Sequence, residues 1–453
     1  MKKKLERLDD YLNFNEEMEY EHTIRKEFRN IKFPQDKREE YRKRLSDEFE
    51  LIECLDNRLH LQILVLLEMA KFLRKNRIFF IPPSKLSDSL ILYCLHFSYV
   101  DPIILNLPFR GFFDVNSSMF PKFGFFVEKG GKQKLITHLK KVFGKEYIKD
   151  VVPPSAVAPG DSFSSYIPYT VVSSEDIEQF FPTTIGREGK KVVLCEREQI
   201  RECEILYFMC IETDNYKDIA TGFEDMNILY PEKIPLDDEK TFELISSGQG
   251  EGLGQFAKPY LRGLLSIFKP CNFAEFIAFY RTTLCFQREK GICYEYLKRA
   301  KGKEEFTEIK KRLKTLFPYE KHISSSMVDS LSKIKSLESI LNETYGLILY
   351  DDQAFLILTE YAGFIPFDAH HILLNFSVPI PGKAEEIKRD FLKKAVEKGH
   401  DAKEAKEVWK AINIFAPYLK KASLIHSLLP DYWRYFLKSR KMEEEIKLFD
   451  KER

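Results

Sequence analysis

Long apolar runs are missing from this sequence of 453 residues. The longest strongly apolar stretch, Ile63-Leu-Val-Leu-Leu67, falls far short of the roughly 20 residues that cross a bilayer, so no membrane span is expected. The start, Met1-Lys-Lys-Lys-Leu-Glu-Arg7, is basic but has no apolar core behind it, which argues against a secretory signal and for a cytoplasmic protein. Cys54, Cys94, Cys195, Cys203, Cys210, Cys271, Cys285 and Cys293 contain no C-x-x-C pair, and the spacing needed for zinc is lacking. Free thiols in a reducing compartment are expected instead. Charge of one sign is also lacking: 71 Lys and Arg stand against 70 Asp and Glu, so no global field draws the molecule to a polyanion. Any such attraction must come from a local patch. There is no repeat of fixed period and no low-complexity tract.

What is present is a large apolar complement, 44% hydrophobic residues with 38 Phe, enough for the cores of two to four domains. Residues 1–37 read as a helical lead-in. Tyr41, Leu45, Phe49 and Ile52, then Leu59, Ile63, Leu66 and Leu67, follow a helical period. Arg77–Ile81 reads as a buried strand ended by Pro82 and Pro83, with Ser84 or Ser87 capping a helix that runs to about Phe97. Met119–Val127 is strand-like. Gly130-Gly131 then opens an amphipathic helix with Leu135, Ile136, Leu139, Val142 and Phe143 on its apolar side. Within 151–211, Tyr166–Val172, Lys191–Leu194 and Ile205–Ile211 read as strands of a mixed sheet. Beyond about residue 220 the pattern is mostly helical, punctuated by prolines.

Several ordered segments resemble the bacterial DNA polymerase III alpha subunit, the C-family replicative polymerase. Ile234-Pro-Leu-Asp-Asp-Glu-Lys-Thr-Phe-Glu-Leu-Ile245, Gly254-Gln255-Phe256, Leu261-Arg262, and Lys269–Ala278 leading to Tyr280-Arg281 are similar to that family's "IPLDD-KT-ELL…GVFQ…LKP-NFEDIIA…YRPGPL" stretch. Leu341-Asn-Glu-Thr-Tyr-Gly-Leu-Ile-Leu-Tyr350, Gln353 and Ala362-Gly363 resemble "LEETYGIIVYQEQVM…AGY". Phe391–Lys410 and Tyr93–Pro102 give two further matches, so the resemblance covers about 38–440. It implies an α/β palm, a nucleotidyltransferase-like mixed sheet, over 38–220, followed by a mainly α-helical fingers domain over 221–453. The inserted thumb would be deleted near 150–156, and the family's other modules would lie outside the chain.

The same resemblance marks what has changed. Nucleotidyl transfer uses two Mg²⁺ ions about 3.5–4 Å apart, held by carboxylates on adjacent palm strands. The family supplies them from "PDIDIDF" and "KFDFLGL" strands. Here Ser118–Phe126 puts Lys122 and Gly124 at the first two carboxylate positions, and Leu206–Ile211 puts Tyr207 at the third. An ammonium repels the ion, so Mg²⁺ binding is expected to be lost, with no catalytic residue, no metal and no cofactor. The family's "GPGRGSAAGSL" phosphate loop matches Phe80–Leu90, where prolines donate no N–H and Asp88 adds a like charge. Lys85 reads as a solvated lysine. In the fingers, the paired arginines align with Leu373-Leu374, and the "NKSHA" segment falls near Lys421–Leu424 without its His.

Other features have structural readings. Glu212 and Asp214 read as a solvated turn beyond a strand, and Asp237-Asp238 as helix-capping acids. Asp351-Asp352 read as surface or supporting residues, and His370-His371 point too far apart on a helix to share one metal. The stretch 122–150 carries Lys122, Lys129, Lys132, Lys134, Lys140, Lys141, Lys145 and Lys149 against Glu128, Glu146 and Asp150. It reads either as a solvated lysine-rich face or as a phosphate-backbone patch. Lys129, Lys132, Lys134, Lys140, Lys141, Arg262 and Arg281 are the candidate nucleic-acid contacts, the two arginines otherwise holding the fingers together. The expected function is a catalytically inactive polymerase-like protein that binds DNA or replication and repair proteins. The alternatives are an interaction protein that touches no nucleic acid and a polymerase with rearranged ligands.

Overall fold

The sheet that organises the first half is built from strands whose side chains alternate between a helix-covered face and an outer face. In the computed structural model, the residues described are 24–26, 28–29, 31, 33–54, 58–110, 123–156, 167–186, 189–249, 254–284, 290–316, 334–377, 380–415 and 420–451. The chain divides into two compact units, 1–232 and 233–453. Most of the expected 1–37 lead-in, and the stretch 157–166 beside the expected thumb deletion, lie outside the described residues.

In the first unit the strands are β1 (Phe80–Ile81), β2 (Phe123–Val127), β3 (Ile148–Val152), β4 (Tyr169–Ser173), β5 (Thr183–Ile185), β6 (Lys191–Leu194) and β7 (Glu204–Glu212), in the order β1-β2-β7-β4-β3-β6-β5. β2 runs parallel to β7 and β3 parallel to β6, while the remaining pairs are antiparallel. The sheet is therefore mixed, as expected. β3 and β5 add strands not individually read in the sequence. On β2 the buried Phe123, Phe125 and Val127 alternate with outward Gly124 and Phe126. Phe97, Phe123, Phe125 and Phe208 form one aromatic core against the inner face, each ring contributing about 1.5–3 kcal/mol when fully buried.

Helices α1 (Arg38–Cys54), α2 (Arg58–Lys75), α3 (Leu90–Cys94), α4 (Gly131–Phe143) and α5 (Lys217–Asp225) complete this unit. α4 buries Leu135, Ile136, Leu139 and Phe143, most of its anticipated apolar side. Its first residue must be glycine, because a Cβ on Gly131 would lie 2.5 Å from Val127 Cγ2. α2 fastens to α4 through His138 Nε2 and Glu68 Oε1, 2.7 Å apart, with Phe72 stacked on the imidazole. α3 corrects the sequence reading: it is short, and its cap is Ser89, whose hydroxyl accepts from Leu92 N. Pro82 and Pro83 delay helix formation, and a left-handed His96 ends it well before further turns can form.

The second unit is helical. α6 (Glu239–Ser246) is capped by Asp238, whose Oδ2 accepts from Thr241 N at 2.9 Å, as expected for that acid. α6 packs with α7 (Pro259–Phe268), α8 (Phe273–Leu284) and the long α13 (Lys421–Lys451), sharing Phe242, Phe256, Phe276, Tyr432 and Tyr435. α9 (Asp351–Leu356), α10 (Pro366–Ser377), α11 (Lys383–Glu397) and α12 (Ala402–Phe415) form a second group. Asp351 and Asp352 are buried in the first turn of α9 rather than exposed, because Asp352 Oδ2 accepts from Lys421 N at 2.8 Å. Gly254, at φ +47, lies so close to Asp431 that a Cβ would stand 1.6 Å from its Oδ1.

Candidate functional site

Gly124 and Tyr207, which the resemblance aligns with the family's metal-binding carboxylates, fall on neighbouring parallel strands. Gly124 of β2 lies opposite Met209 of β7, and Phe126 lies opposite Ile211, so all four share the outer face with Tyr207. Lys122 lies outside the described residues. Gly124 is exposed, yet a Cβ there would meet Met209 Cε at 3.3 Å and Ile211 Cδ1 at 3.7 Å. Phe126 packs edge-on against Tyr216, with ring centroids 6.0 Å apart.

Tyr207 does not present its ring to solvent. It is 6% exposed, stacks on Tyr169 at 4.5 Å, and joins a core with Val151, Val171, Ile177, Val193, Cys195 and Ile200. Magnesium takes hard oxygen donors, ideally carboxylates. A bare backbone, a thioether, two aliphatic or aromatic walls and a packed phenol do not fit that ion. Among the described residues, no group of three or more His, Cys, Asp or Glu side chains is placed to hold a metal.

The stretch matched to the phosphate loop carries an anion of the chain's own. Glu48, fully buried on α1, accepts hydrogen bonds from Leu90 N at 2.7 Å, Ile91 N at 3.0 Å and the Ser89 hydroxyl at 2.8 Å. Arg44 Nε donates to the same carboxylate at 3.0 Å, and its guanidinium also reaches the carbonyls of Asp88 and Leu107. Burial pushes the Glu48 carboxyl above its ordinary range, and Arg44 with the two backbone amides pulls it back. Asp88 is pushed up to about 6 by burial, opposed by Arg44 and Arg110. The Lys85 side chain lies outside the described residues. Glu48 escaped the sequence reading, although one signal was available: it sits on the same helical stripe as Tyr41 and Leu45, where an acid is out of place.

The lysines do not form one patch. Lys132 and Lys140 line a cavity of about 780 Å³ with Lys145, Lys149, Lys190 and Lys191. Lys129 belongs to a different cavity of about 650 Å³ beside Arg77 and Lys217, its ammonium 3.9 Å from Asp214. Lys134 and Lys141 are exposed on α4, seven residues apart and thus on one stripe of that helix. Lys190 and Lys191 were missed as site residues, although the pair was visible where β6 begins. Glu212 is the last residue of β7, paired with Val127, and not part of a turn beyond it; its Oε1 accepts from Lys132 N at 3.1 Å. Asp214 is exposed, as read.

In the second unit, Arg262 is partly buried on α7. Arg281 is 3% exposed, and its Nε donates to the Leu349 carbonyl at 2.8 Å. That places it in the scaffold as the sequence alternative allowed, though through a backbone oxygen. Gln353, from the second matched motif, accepts from Leu349 N and Tyr350 N and donates to Thr344 Oγ1 and the Ile340 carbonyl. His370 and His371 sit on α10, with the His371 ring against Phe367. Cys94, Cys195 and Cys210 are buried free thiols, Cys203 is partly buried and Cys271 exposed. Among the described residues, no helix is long and apolar enough to cross a membrane.

Comparison with known proteins matches residues 16–163 to the family described as the bacterial DNA polymerase III alpha NTPase domain. Residues 217–399 match the bacterial DNA polymerase III alpha subunit finger domain. The DNA polymerase III subunit alpha of Aquifex aeolicus is 24% identical over 279 residues, 59% of this chain and 22% of that protein. The error-prone DNA polymerase of Symbiobacterium thermophilum is 23% identical over 249 residues, 55% of this chain and 21% of that protein. The Campylobacter jejuni DNA polymerase III subunit alpha is 27% identical over 188 residues, 41% of this chain and 14% of that protein. The chain thus matches no more than 22% of the length of these relatives.

Proposed function

From the premise that this chain is related to the bacterial DNA polymerase III alpha subunit, we propose that it is a non-catalytic relative that binds nucleic acid or the replication and repair machinery in the cytoplasm. One observation carries the loss of catalysis: Gly124, Phe126, Met209 and Ile211 make an apolar outer face on the paired strands where the family places metal-binding carboxylates. Chemistry of phosphoryl transfer rests on electrostatic stabilisation and metal ions, and this surface supplies neither. A second feature supports the same reading. Glu48 takes the amides at the start of α3, so a nucleotide phosphate approaching them would meet a buried carboxylate already hydrogen-bonded there.

For binding, the exposed Lys134 and Lys141 of α4, with Lys129 at the turn before it, support contact with a phosphate backbone. Arg281 is left out, because its guanidinium is buried in the helical unit. The palm and fingers assignment of the two units is part of the proposal. Fluorescence anisotropy with a labelled primer-template tests the binding: saturable, salt-sensitive association is expected, and none at low salt overturns it. Incubation of the same duplex with dNTPs and Mg²⁺ or Mn²⁺ is expected to give no extension. Templated elongation by pure protein refutes the loss of catalysis.

A further inference from the structure

We infer that the lysine-lined cavity beside α4 is a binding site for a small ligand carrying two or more phosphate groups, with neither Gly124 nor Tyr207 among its lining residues. Its floor comprises Ile148, Asp150, Val192 and Cys210. By strand register these belong to the sheet face opposite Gly124 and Tyr207, since Cys210 alternates with Met209 and Asp150 pairs with Thr170 across from Phe208. Lys149, Lys191, Val193 and Ile211, which also line the cavity, belong to the other face by the same register, whereas Gly124, Phe126, Met209 and Tyr207 are not among its lining residues. The inference stands whether or not the chain binds a nucleic-acid strand.

The electrostatics are one-sided. Lys132, Lys140, Lys145, Lys149, Lys190 and Lys191 surround the cavity, against the carboxylates of Asp150, Glu178 and Glu212. Each of those carboxylates is already engaged. Asp150 Oδ1 accepts from the Thr170 hydroxyl at 2.8 Å. Glu178 holds Lys191 at 2.6 Å and Lys149 at 2.9 Å. Glu212 accepts from Lys132 N at 3.1 Å. Among the described residues, the ammonium groups of Lys132, Lys140 and Lys145 have no carboxylate within ion-pair distance. Positive charge is thus in excess, and it comes from elements held rigidly by β3, β6, β7 and α4.

Ligand class follows from shape and donor type. A volume of about 780 Å³ lies in the range of small-molecule sites. Lysines are compact point charges that suit phosphate oxygens, and among the described residues all the cations lining this cavity are lysines. Ile136, Ile148, Ile167, Pro168, Val192 and Ile211 supply an apolar wall beside the charges. An apolar wall next to an ammonium cluster suits a nucleoside polyphosphate, and the ammonium cluster alone suits a bare polyphosphate. Their shared chemistry is the phosphate chain.

The test is isothermal titration of the full chain with inorganic triphosphate and, separately, dATP, in EDTA at about 50 mM salt. Saturable binding that weakens steeply with salt is expected for at least one. Tighter binding of dATP assigns the apolar wall to a base, and equal or weaker binding assigns the site to phosphate alone. The double variant K140A/K145A is expected to lose roughly tenfold or more in affinity. K310A/K311A, on the helix Lys303–Leu316 of the other unit, is expected to leave it unchanged. Unaltered denaturation midpoints certify that the variants are folded. Absence of binding by both ligands, or equal binding by K140A/K145A, overturns the inference. Primer-template anisotropy on the same variants reports separately on strand binding.

Discussion

On the proposed reading, removing Glu48 tests whether a buried carboxylate occupies the amides of the stretch that resembles the family's phosphate loop. In E48A, Leu90 N, Ile91 N and the Ser89 hydroxyl lose their acceptor, and the largely buried Arg44 guanidinium loses the carboxylate that its Nε contacts, with Asp88 left as its remaining acidic neighbour. An unsatisfied buried donor costs about 1–3 kcal/mol. Breaking a buried ion pair from one side costs about 3–5 kcal/mol. The contributions overlap, so the expected loss is about 3–5 kcal/mol rather than their sum. E48Q keeps one carbonyl acceptor and is expected to lose about half as much, roughly 2 kcal/mol. E50A, an exposed acid on the same helix, is expected to stay within about 0.5 kcal/mol. Urea denaturation followed by circular dichroism, with the two units fitted as separate transitions, reads these differences. An E48A loss under about 1 kcal/mol would show that the start of α3 is solvated and that no internal anion is required there.

Four further outcomes are expected. Asp88 has a folded pKa of about 6 against an ordinary 3.8, so the native state holds its proton more tightly than the unfolded chain does. Stability therefore falls as pH rises from about 4 to about 6, by at most about 3 kcal/mol, and D88N flattens that part of the pH–stability curve. G254A places a methyl group 1.6 Å from Asp431 Oδ1 at a left-handed φ, and thermal melting is expected to show a loss of about 3 kcal/mol or more in the second unit. Y207D puts a carboxylate into the Val151, Val171 and Val193 core, where the nearby Arg197 is already paired with Glu204; a loss of about 3 kcal/mol or more is expected, with no gain of metal-dependent primer extension. K134E/K141E is expected to weaken primer-template binding and to reduce its salt slope by about 1–2, read by anisotropy across a salt series; an unchanged slope removes α4 from the interface.

Much of the fold could be read from residue patterns, and the reason is local. The apolar side of α4 repeats at helical spacing, and β2, β4, β6 and β7 are rich in the aromatic and β-branched residues that pleated surfaces favour. β5 has only three residues, and its side chains are mostly exposed, so no burial pattern announces it. The length of α3 was misread because its start is set by Glu48, more than forty residues away in sequence. Burial of Asp351 and Asp352 was missed for the same reason, since Lys421 satisfies Asp352 from a distant helix. The basic run was legible as a run, but not its partition. Helical geometry sends Lys132 and Lys140 into one cavity and Lys134 and Lys141 to solvent, and the start of β6, much further along the chain, supplies Lys190 and Lys191.

A division runs through the motifs shared with the polymerase relatives. Those that persist have packing work to do in the described structure. Asp238 caps α6, Gly254 admits the Asp431 carboxylate, Arg281 ties α8 to the Leu349 carbonyl, and Gln353 satisfies two amides and two acceptors at the start of α9. Each is a buried or partly buried polar group or a strained backbone position, where replacement leaves an orphan or a clash. Gly124 and Phe126 stand on an outer face where a charged side chain relieves no strain and completes no hydrogen bond of the fold. Stability alone therefore holds the first set in place and leaves the second free to change. On the proposed reading, a metal-binding strand loses its acids without loss of the scaffold, and the phosphate-facing amides survive only because Glu48 took them over. On that same reading, the E48A loss also measures how much the fold depends on an anion of its own at the start of α3.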